Sequence, residues 1–314
     1  GAQRIRVNGA LLDPDTPPPP VTYFHPRSTF LWGLAQMRSA GAREKDRPPR
    51  VGIIGLGAGA MACYVRAGEQ WRFFEIDPLV IEIAQNPRLF NYLSNCMKQP
   101  DIVAGDARVT LAREKQGSFD YILIDAFSSD VVPVHLLTVE ALKLYLDKLS
   151  ERGVLALHIS NKYFDLATVI AANLAHIPGL HARYVENPGD GSYDVSTTQV
   201  VLIARQAEVL PPMDYRYGVW PLVPAGVNAW TDDFSNVATT LLRGYRRPVR
   251  TPDNVEIEFF SGVIAAMPSS PDGYRSQSAS PHPTGQPGPV SRSWRCRSRR
   301  TRRWPPGSAG RTAA

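Results

Sequence analysis

VGIIGLGAGA (51–60) and FFEIDP (73–78) decide the fold. An apolar run ends in alternating glycines, and a second apolar run ends in an acid. This is the pattern of a strand, a tight turn that lets backbone approach a nucleoside or phosphate, a helix, and a second strand that presents a carboxylate to a ribose. Glu75 stands 20 residues beyond Gly55, the spacing of a ribose-binding acid. Gly55-x-Gly57-x-x-Ala60 also satisfies the dinucleotide pattern. The glycines alone therefore do not separate a nicotinamide cofactor from S-adenosylmethionine or its decarboxylated form.

Outward from this stretch, strand and helix alternate. Strand 51–55 leads into a helix at about 59–68, and strand 71–76 into a helix opened by Pro78, a favoured first-turn residue. DIVAGDA (101–107) reads as a short strand with a helix behind it, and FDYILIDAF (119–127) as a strand that ends in Asp125. A helix over about 138–149 has Thr138 as its N-cap. Gly153 begins the buried strand VLALHIS, a helix covers about 164–176, and LHARYVE (180–186) and TTQVVLIAR (197–205) close as an antiparallel pair. Repeated βα units predict a parallel sheet with helices on both faces. The closing pair favours a methyltransferase-type sheet over a dehydrogenase. Upstream, QRIRVNG reads as a strand and turn, DPDTPPPP (13–20) as a stiff connector, and TYFHPRSTFLWGLAQMRSA (22–40) as a loop into an amphipathic helix. The expected organisation is an N-terminal strand, loop and helix segment over 1–50, a Rossmann-like domain over 51–260, and a disordered tail over 261–314.

Composition limits the alternatives. The net charge of +6 invites a nucleic-acid reading, but residues 261–314 hold nine arginines against one acid, Asp272, so residues 1–260 are close to neutral. No nucleic-acid partner is expected. The tail is rich in Pro, Ser, Gly and Arg and has the composition of an unstructured extension. Three cysteines, Cys63, Cys96 and Cys296, show neither metal spacing nor a disulfide framework, which points to a reducing, cytoplasmic compartment and no metal. No run reaches the ~18 continuous apolar residues of a membrane helix. The chain starts at Gly1 without an initiator Met, so a longer parent with membrane helices stays open.

Ligands of such a sheet bind beyond the C-terminal ends of its strands, so the acids there carry the information. They are Glu75 and Asp77 after the second strand, Asp106 after the third, and Asp125 and Asp130 after the fourth. Glu75 suits the ribose, and Asp77 suits the cap of the helix opened by Pro78. Asp106 either accepts from an adenine amino group or caps the following helix. In DAFSSD (125–130), Asp125 and Asp130 suit a cationic substrate: they bind an ammonium, and one takes its proton. His135 follows this loop and can line the pocket. His158, within an apolar strand, reads as a hydrogen-bonded core residue. Trp230, Asp232 and Asp233 are candidates for a lid, with Thr231 or Asp232 equally suited to cap a helix. No nucleophile elbow, H-E-x-x-H or P-loop lysine occurs.

The order GLGAG, FFEID, GDA, FDYILIDAFSSD resembles the spermidine synthase family of polyamine aminopropyltransferases, over about residues 20–240. DAFSSDVVPVHLLT, HISNKYFDL and WTDDFSN resemble bacterial spermidine synthase-like proteins that often follow membrane helices. The resemblance implies a class I S-adenosylmethionine-methyltransferase-like Rossmann fold, with a mostly parallel sheet and a terminal antiparallel pair. It implies transfer of an aminopropyl group from decarboxylated S-adenosylmethionine to a small diamine such as putrescine, releasing methylthioadenosine. By position, Gly55, Gly57 and Gly59 line the cofactor turn, Glu75 holds the ribose, and Asp106 with Ala107 faces the adenine. Asp125 matches the catalytic acid. Asp130 matches the acid that holds the amine, across a loop two residues longer than usual. The family's usual G-G-G-D-G-G motif has an Asp that receives the aminopropyl ammonium, and here that position is Ala58. Its loss also removes a like-charge clash with the carboxylate of S-adenosylmethionine itself. A methyltransferase is therefore the first alternative, and a non-catalytic ligand-sensing domain of a membrane protein the second. A nicotinamide dehydrogenase ranks last. A homodimer is in keeping with the family, although its N-terminal hairpin is poorly represented in 1–22.

Overall fold

The computed structural model describes residues 6–7, 10–11, 19–39, 47–126, 133–161, 163–189, 195–214, 218–222 and 226–244. These lie within one compact unit, Gly1–Ser261. Asp130, the far end of the acidic loop, lies outside the described residues, as does the Arg-rich tail.

A short antiparallel pair, β1 (Arg6–Val7) with β2 (Ala10–Leu11), stands apart from the main sheet. The main sheet comprises β3 (Arg50–Ile54), β4 (Gln70–Glu75), β5 (Asp101–Ala104), β6 (Phe119–Ile124), β7 (Leu149–His158), β8 (His181–Asn187), β9 (Thr198–Ala204) and β10 (Val219–Pro221). Their spatial order is β10-β8-β9-β7-β6-β3-β4-β5. β5, β4, β3, β6 and β7 are parallel, and β9 runs antiparallel to both β7 and β8. The chain order reverses at β3, between β4 and β6, which makes the switch point where such sheets bind ligands. A parallel sheet with a reversed strand inserted next to β7 is the class I methyltransferase-like Rossmann arrangement, as the sequence leads one to expect; β10 adds a second reversed strand at the edge beside β8.

The sheet is buried on both sides because alternate residues serve two cores. Ile122 and Ile124 of β6 face one side, with Leu155 and Leu157 of β7 and Ala141, Leu142 and Tyr145 of the helix α5 (Val139–Lys148). Tyr121 and Leu123 face the other, with Phe30, Leu34 and Met37 of the helix α1 (Thr29–Arg38). All six residues of β6 are buried, as a central parallel strand requires. The Tyr121 hydroxyl donates to the Phe30 carbonyl at 2.7 Å and ties α1 to the sheet.

Helix starts follow the local chemistry. Asp77 accepts from the Leu79 N–H and caps α2 (Pro78–Gln85). Thr138 accepts from the Ala141 N–H and caps α5. Asp165 caps α6 (Leu166–Leu174). The helix expected at 59–68 is instead a five-residue 3₁₀ turn, Ala60–Tyr64. Val65 goes extended at ψ 135°, and Gly68 takes φ +83°, so the chain bends back at once to begin β4. β7 starts at Leu149 rather than Gly153, since Leu149 pairs with Phe119 ahead of a register shift.

The cysteines correct another expectation. Cys63, in the 3₁₀ turn, forms a disulfide with Cys96 at the end of α3 (Tyr92–Cys96), with Cα atoms 4.8 Å apart. The fold brings together residues 33 apart in the chain, which spacing alone does not show. The inference of a reducing compartment from cysteine usage loses its basis. No helix among the described residues is long and apolar enough to cross a membrane.

Candidate functional site

A cleft of about 480 Å³ opens at the C-terminal ends of β3, β4 and β6, within the range of small-ligand sites. Gly55, Gly57, Glu75, Asp106, Ala107, Asp125 and His135 all contribute to its lining. The structure thus gathers seven of the sequence candidates. Gly59 is not among the lining residues: a Cβ there would meet Leu93 Cγ at 2.7 Å, so its role is to let α3 approach.

The glycine turn and the catalytic candidate are built as one piece. Gly55 N–H donates to the Phe74 carbonyl at 2.9 Å, and Asp125 N–H donates to the Ile54 carbonyl at 2.8 Å. Gly55 has φ +98°, and a Cβ there would lie 2.3 Å from the Asp125 carbonyl oxygen. No other residue fits this crossing. Around Gly57 no atom lies within 4 Å of a built Cβ, so that side of the turn is open.

Glu75 is 9% exposed. Its Oε2 accepts from the Leu56 N–H at 2.8 Å, and Oε1 from the Asp77 N–H at 3.0 Å. The same carboxylate therefore holds the glycine turn and faces the cleft. Asp106 caps α4 (Ala107–Ala112): Oδ1 accepts from Arg108 N–H at 2.8 Å and Val109 N–H at 3.2 Å. This leaves Oδ2 facing His135 Nε2 at 3.8 Å. Of the two roles weighed for Asp106, capping is directly visible, and it does not remove the residue from the cleft.

Asp125 follows β6 directly. Its Oδ1 lies 2.6 Å from Nδ1 of His158, the last residue of β7. His158 is thus the hydrogen-bonded core residue expected, but its partner is the catalytic candidate, which sequence reasoning missed. Tyr23, Phe24 and Pro133 also line the cleft without having been anticipated. A visible signal for Tyr23 was the aromatic pair in TYFHPRS. Thr22 precedes it with φ +61°, a conformation rare for a β-branched residue. Partial burial, then the nearby Asp125 carboxylate, pushes the Tyr23 phenol above its ordinary pKa, although the residue is 37% exposed.

The lid candidates separate. Trp230 is fully buried, with its N–H on Asn173 Oδ1 at 2.7 Å and its carbonyl accepting from Val139 N–H. It is a core residue because those bonds satisfy its backbone within the apolar layer. Asp232 takes two bonds from the Arg108 guanidinium, each 2.7 Å, and one from Thr138 Oγ1 at 2.8 Å. Arg108 holds its carboxyl below the ordinary Asp value. Asp233 is exposed. The following helix, α7 (Val237–Gly244), has Asn236 accepting from the Thr239 N–H at its start, in place of Thr231 or Asp232.

No family model matches the chain. Over 137 residues it is 34% identical to a polyamine aminopropyltransferase of Vibrio vulnificus, covering 41% of this chain and 44% of the relative. The chain thus spans less than half the length of the curated relative it matches. Among solved structures, a probable spermidine synthase from Corynebacterium glutamicum is 16% identical, covers 66% of this chain and 79% of its own, and has a TM-score of 0.48. Human methyltransferase-like protein 13 in complex with SAH is 17% identical, covers 77% and 98%, and has a TM-score of 0.45. The resemblance to polyamine aminopropyltransferases read from the motifs is thus matched by the curated relative. The fold assignment rests on the sheet order itself.

Proposed function

We propose that the chain is a spermidine synthase-like aminopropyltransferase, which moves an aminopropyl group from decarboxylated S-adenosylmethionine to a diamine such as putrescine and releases methylthioadenosine. The observation that carries this reading is the charge of the cleft. Glu75, Asp106 and Asp125 line it together, and no Arg or Lys among the described residues forms an ion pair with any of them. With Asp77 also on the wall, carboxylates that no Arg or Lys of the described residues clasps lie beside an adenosine-type glycine turn, which suits a sulfonium and an ammonium. The curated relative supports the same reading by its name.

In this reading Gly55 and Gly57 let the nucleoside lie against backbone, and Glu75 accepts from the ribose hydroxyls. Asp106 and Ala107 border the base. Asp125 binds the attacking ammonium and takes one proton from it, leaving a neutral amine in line with the reacting carbon. The amine nitrogen forms the new bond as the carbon–sulfur bond breaks, and its electron pair goes to sulfur. The sulfonium is already activated, so positioning and deprotonation are the protein's contribution. Asp130 remains the second acid proposed to hold the amine.

Ala58 favours a second reading, methyl transfer from S-adenosylmethionine, because no acid stands there to oppose that cofactor's carboxylate. One incubation separates the two: protein, putrescine and equal amounts of both nucleosides, with products identified by mass spectrometry. Methylthioadenosine is the expected product. S-adenosylhomocysteine would move the chain to the methyltransferases, and no turnover would favour a ligand-sensing domain.

A further inference from the structure

Behind Asp125 runs a chain of hydrogen bonds that begins at a backbone group. Gln199 N–H donates to Ser160 Oγ at 2.8 Å. Ser160 Oγ lies 2.7 Å from His158 Nε2, and His158 Nδ1 lies 2.6 Å from Asp125 Oδ1. The first link has a fixed direction, since a backbone amide only donates. The Ser160 hydroxyl still has its own hydrogen to give, and in a neutral ring with its proton on Nδ1 that hydrogen goes to Nε2. The imidazole then carries its proton on Nδ1, facing the carboxylate. The other neutral tautomer would set an Nδ1 lone pair against Oδ1 at 2.6 Å, which an ionised Asp125 does not tolerate.

The ring is also fixed in its plane. Tyr23 lies tilted against it with centroids 5.2 Å apart, and Phe30 meets it edge-on at 5.8 Å. The His158 and Asp125 side chains are 7% and 9% exposed. Linked bonds in such a poorly solvated place polarise one another.

We infer that His158 is a positioning residue for the reaction at Asp125, with Ser160 and the Gln199 amide setting its tautomer. The bond to Nδ1–H occupies Oδ1, and no described residue bonds Oδ2. One carboxylate oxygen is thereby fixed on the histidine and the other is left for the nucleophile's proton. The order Asp–His–Ser resembles a hydrolase triad, but Asp125 alone of the three lines the cleft. Ser160 serves the histidine here and is not a nucleophile.

The inference rests on the reading of Asp125 as the acid facing the nucleophile. The test uses the full chain with His158→Leu, which removes the donor, and His158→Asn, whose amide nitrogen takes the place of Nδ1. Loss of this positioning should lower kcat by about 100-fold in His158→Leu. KM for the nucleoside should change little, and His158→Asn should recover at least tenfold of the loss. Equal loss of kcat in both variants would overturn the inference, as would full activity in His158→Leu. A second readout needs no turnover: nitrogen-15 spectra of labelled histidine in the wild-type chain. Nδ1–H with an unprotonated Nε2 is expected near neutral pH, with Ser160→Ala weakening that preference. Protonation on Nε2 alone would overturn the inference even where product is made. Failure of the aminopropyl reading shows separately, as a wild-type chain that makes no methylthioadenosine while the spectra still report the tautomer.

Discussion

The sheet carries a cleft at each end, of nearly equal volume, and the two treat charge in opposite ways. The one at the N-terminal strand ends measures about 500 Å³ and is bordered by Arg50, Glu69, Trp71, Arg72, Asp101 and Phe119. Three of its four charged residues are paired, and the Arg50 guanidinium lies over the Phe119 ring at 5.8 Å. Arg72 bonds Asp101 at 2.8 Å and also Glu114, and Arg38 bonds both oxygens of Glu69 at 2.7 and 2.8 Å. Nearby, Arg47 clasps both oxygens of Asp120 at 2.8 and 2.9 Å. At the C-terminal end, the carboxylates meet backbone N–H groups or a histidine instead. An acid already paired with arginine supports the fold, whereas an acid held only by neutral donors keeps its charge available to an incoming cation.

The sharpest test of that contrast replaces one acid at each end. Asp125→Asn should lower turnover by about 10²–10⁴-fold, the usual worth of a positioned base, while the thermal midpoint stays close to wild type. Asp120→Ala should do the reverse. It strips partners from Arg47, the Ser150 hydroxyl and the Arg50 N–H, and breaking such a buried pair costs about 3 kcal/mol. Urea unfolding should show that loss, with activity per folded molecule kept. Similar losses of activity in both variants would break the comparison.

Glu75→Gln lies between these extremes, because Glu75 serves both the turn and the cleft. An amide oxygen still accepts from Leu56 N–H, but the charge is lost. Calorimetric titration with methylthioadenosine should show affinity weakened about tenfold, roughly 1.4 kcal/mol.

The smallest effect concerns acid. Burial alone would raise the Glu69 pKa, but bonds from Arg38, Trp71 and the Arg66 N–H hold it below the ordinary value of 4.5. A group depressed on folding stabilises above its unfolded pKa, and that contribution fades as pH falls through the folded value. Wild type should therefore lose more stability than Glu69→Gln as pH drops below about 4.5. Parallel pH profiles of the two would refute this assignment.

What could be read from the sequence was mostly local. Asp77 and Thr138 each cap a helix through a backbone N–H two or three residues on. The glycine turn and the acids at consecutive strand ends follow from the same short-range logic. Contacts across the sheet were hidden. Asp125 and His158 are 33 residues apart, and they meet because β6 and β7 are adjacent and in register. A carboxylate at a strand end announces itself, but a histidine in an apolar run does not reveal which neighbour it faces. The 3₁₀ turn at 60–64 was hidden for a similar reason: its partner is α3, joined to it through Cys63 and Cys96.

That disulfide changes what a cut chain would look like. It closes a covalent ring that contains β4, α2 and Glu75. A protease that nicks any bond between 64 and 95 opens the ring without freeing a fragment. The nicked protein keeps its mass on a non-reducing gel and divides in two only after a thiol is added. The stretch that carries Glu75 can thus be severed and still remain tethered on both sides.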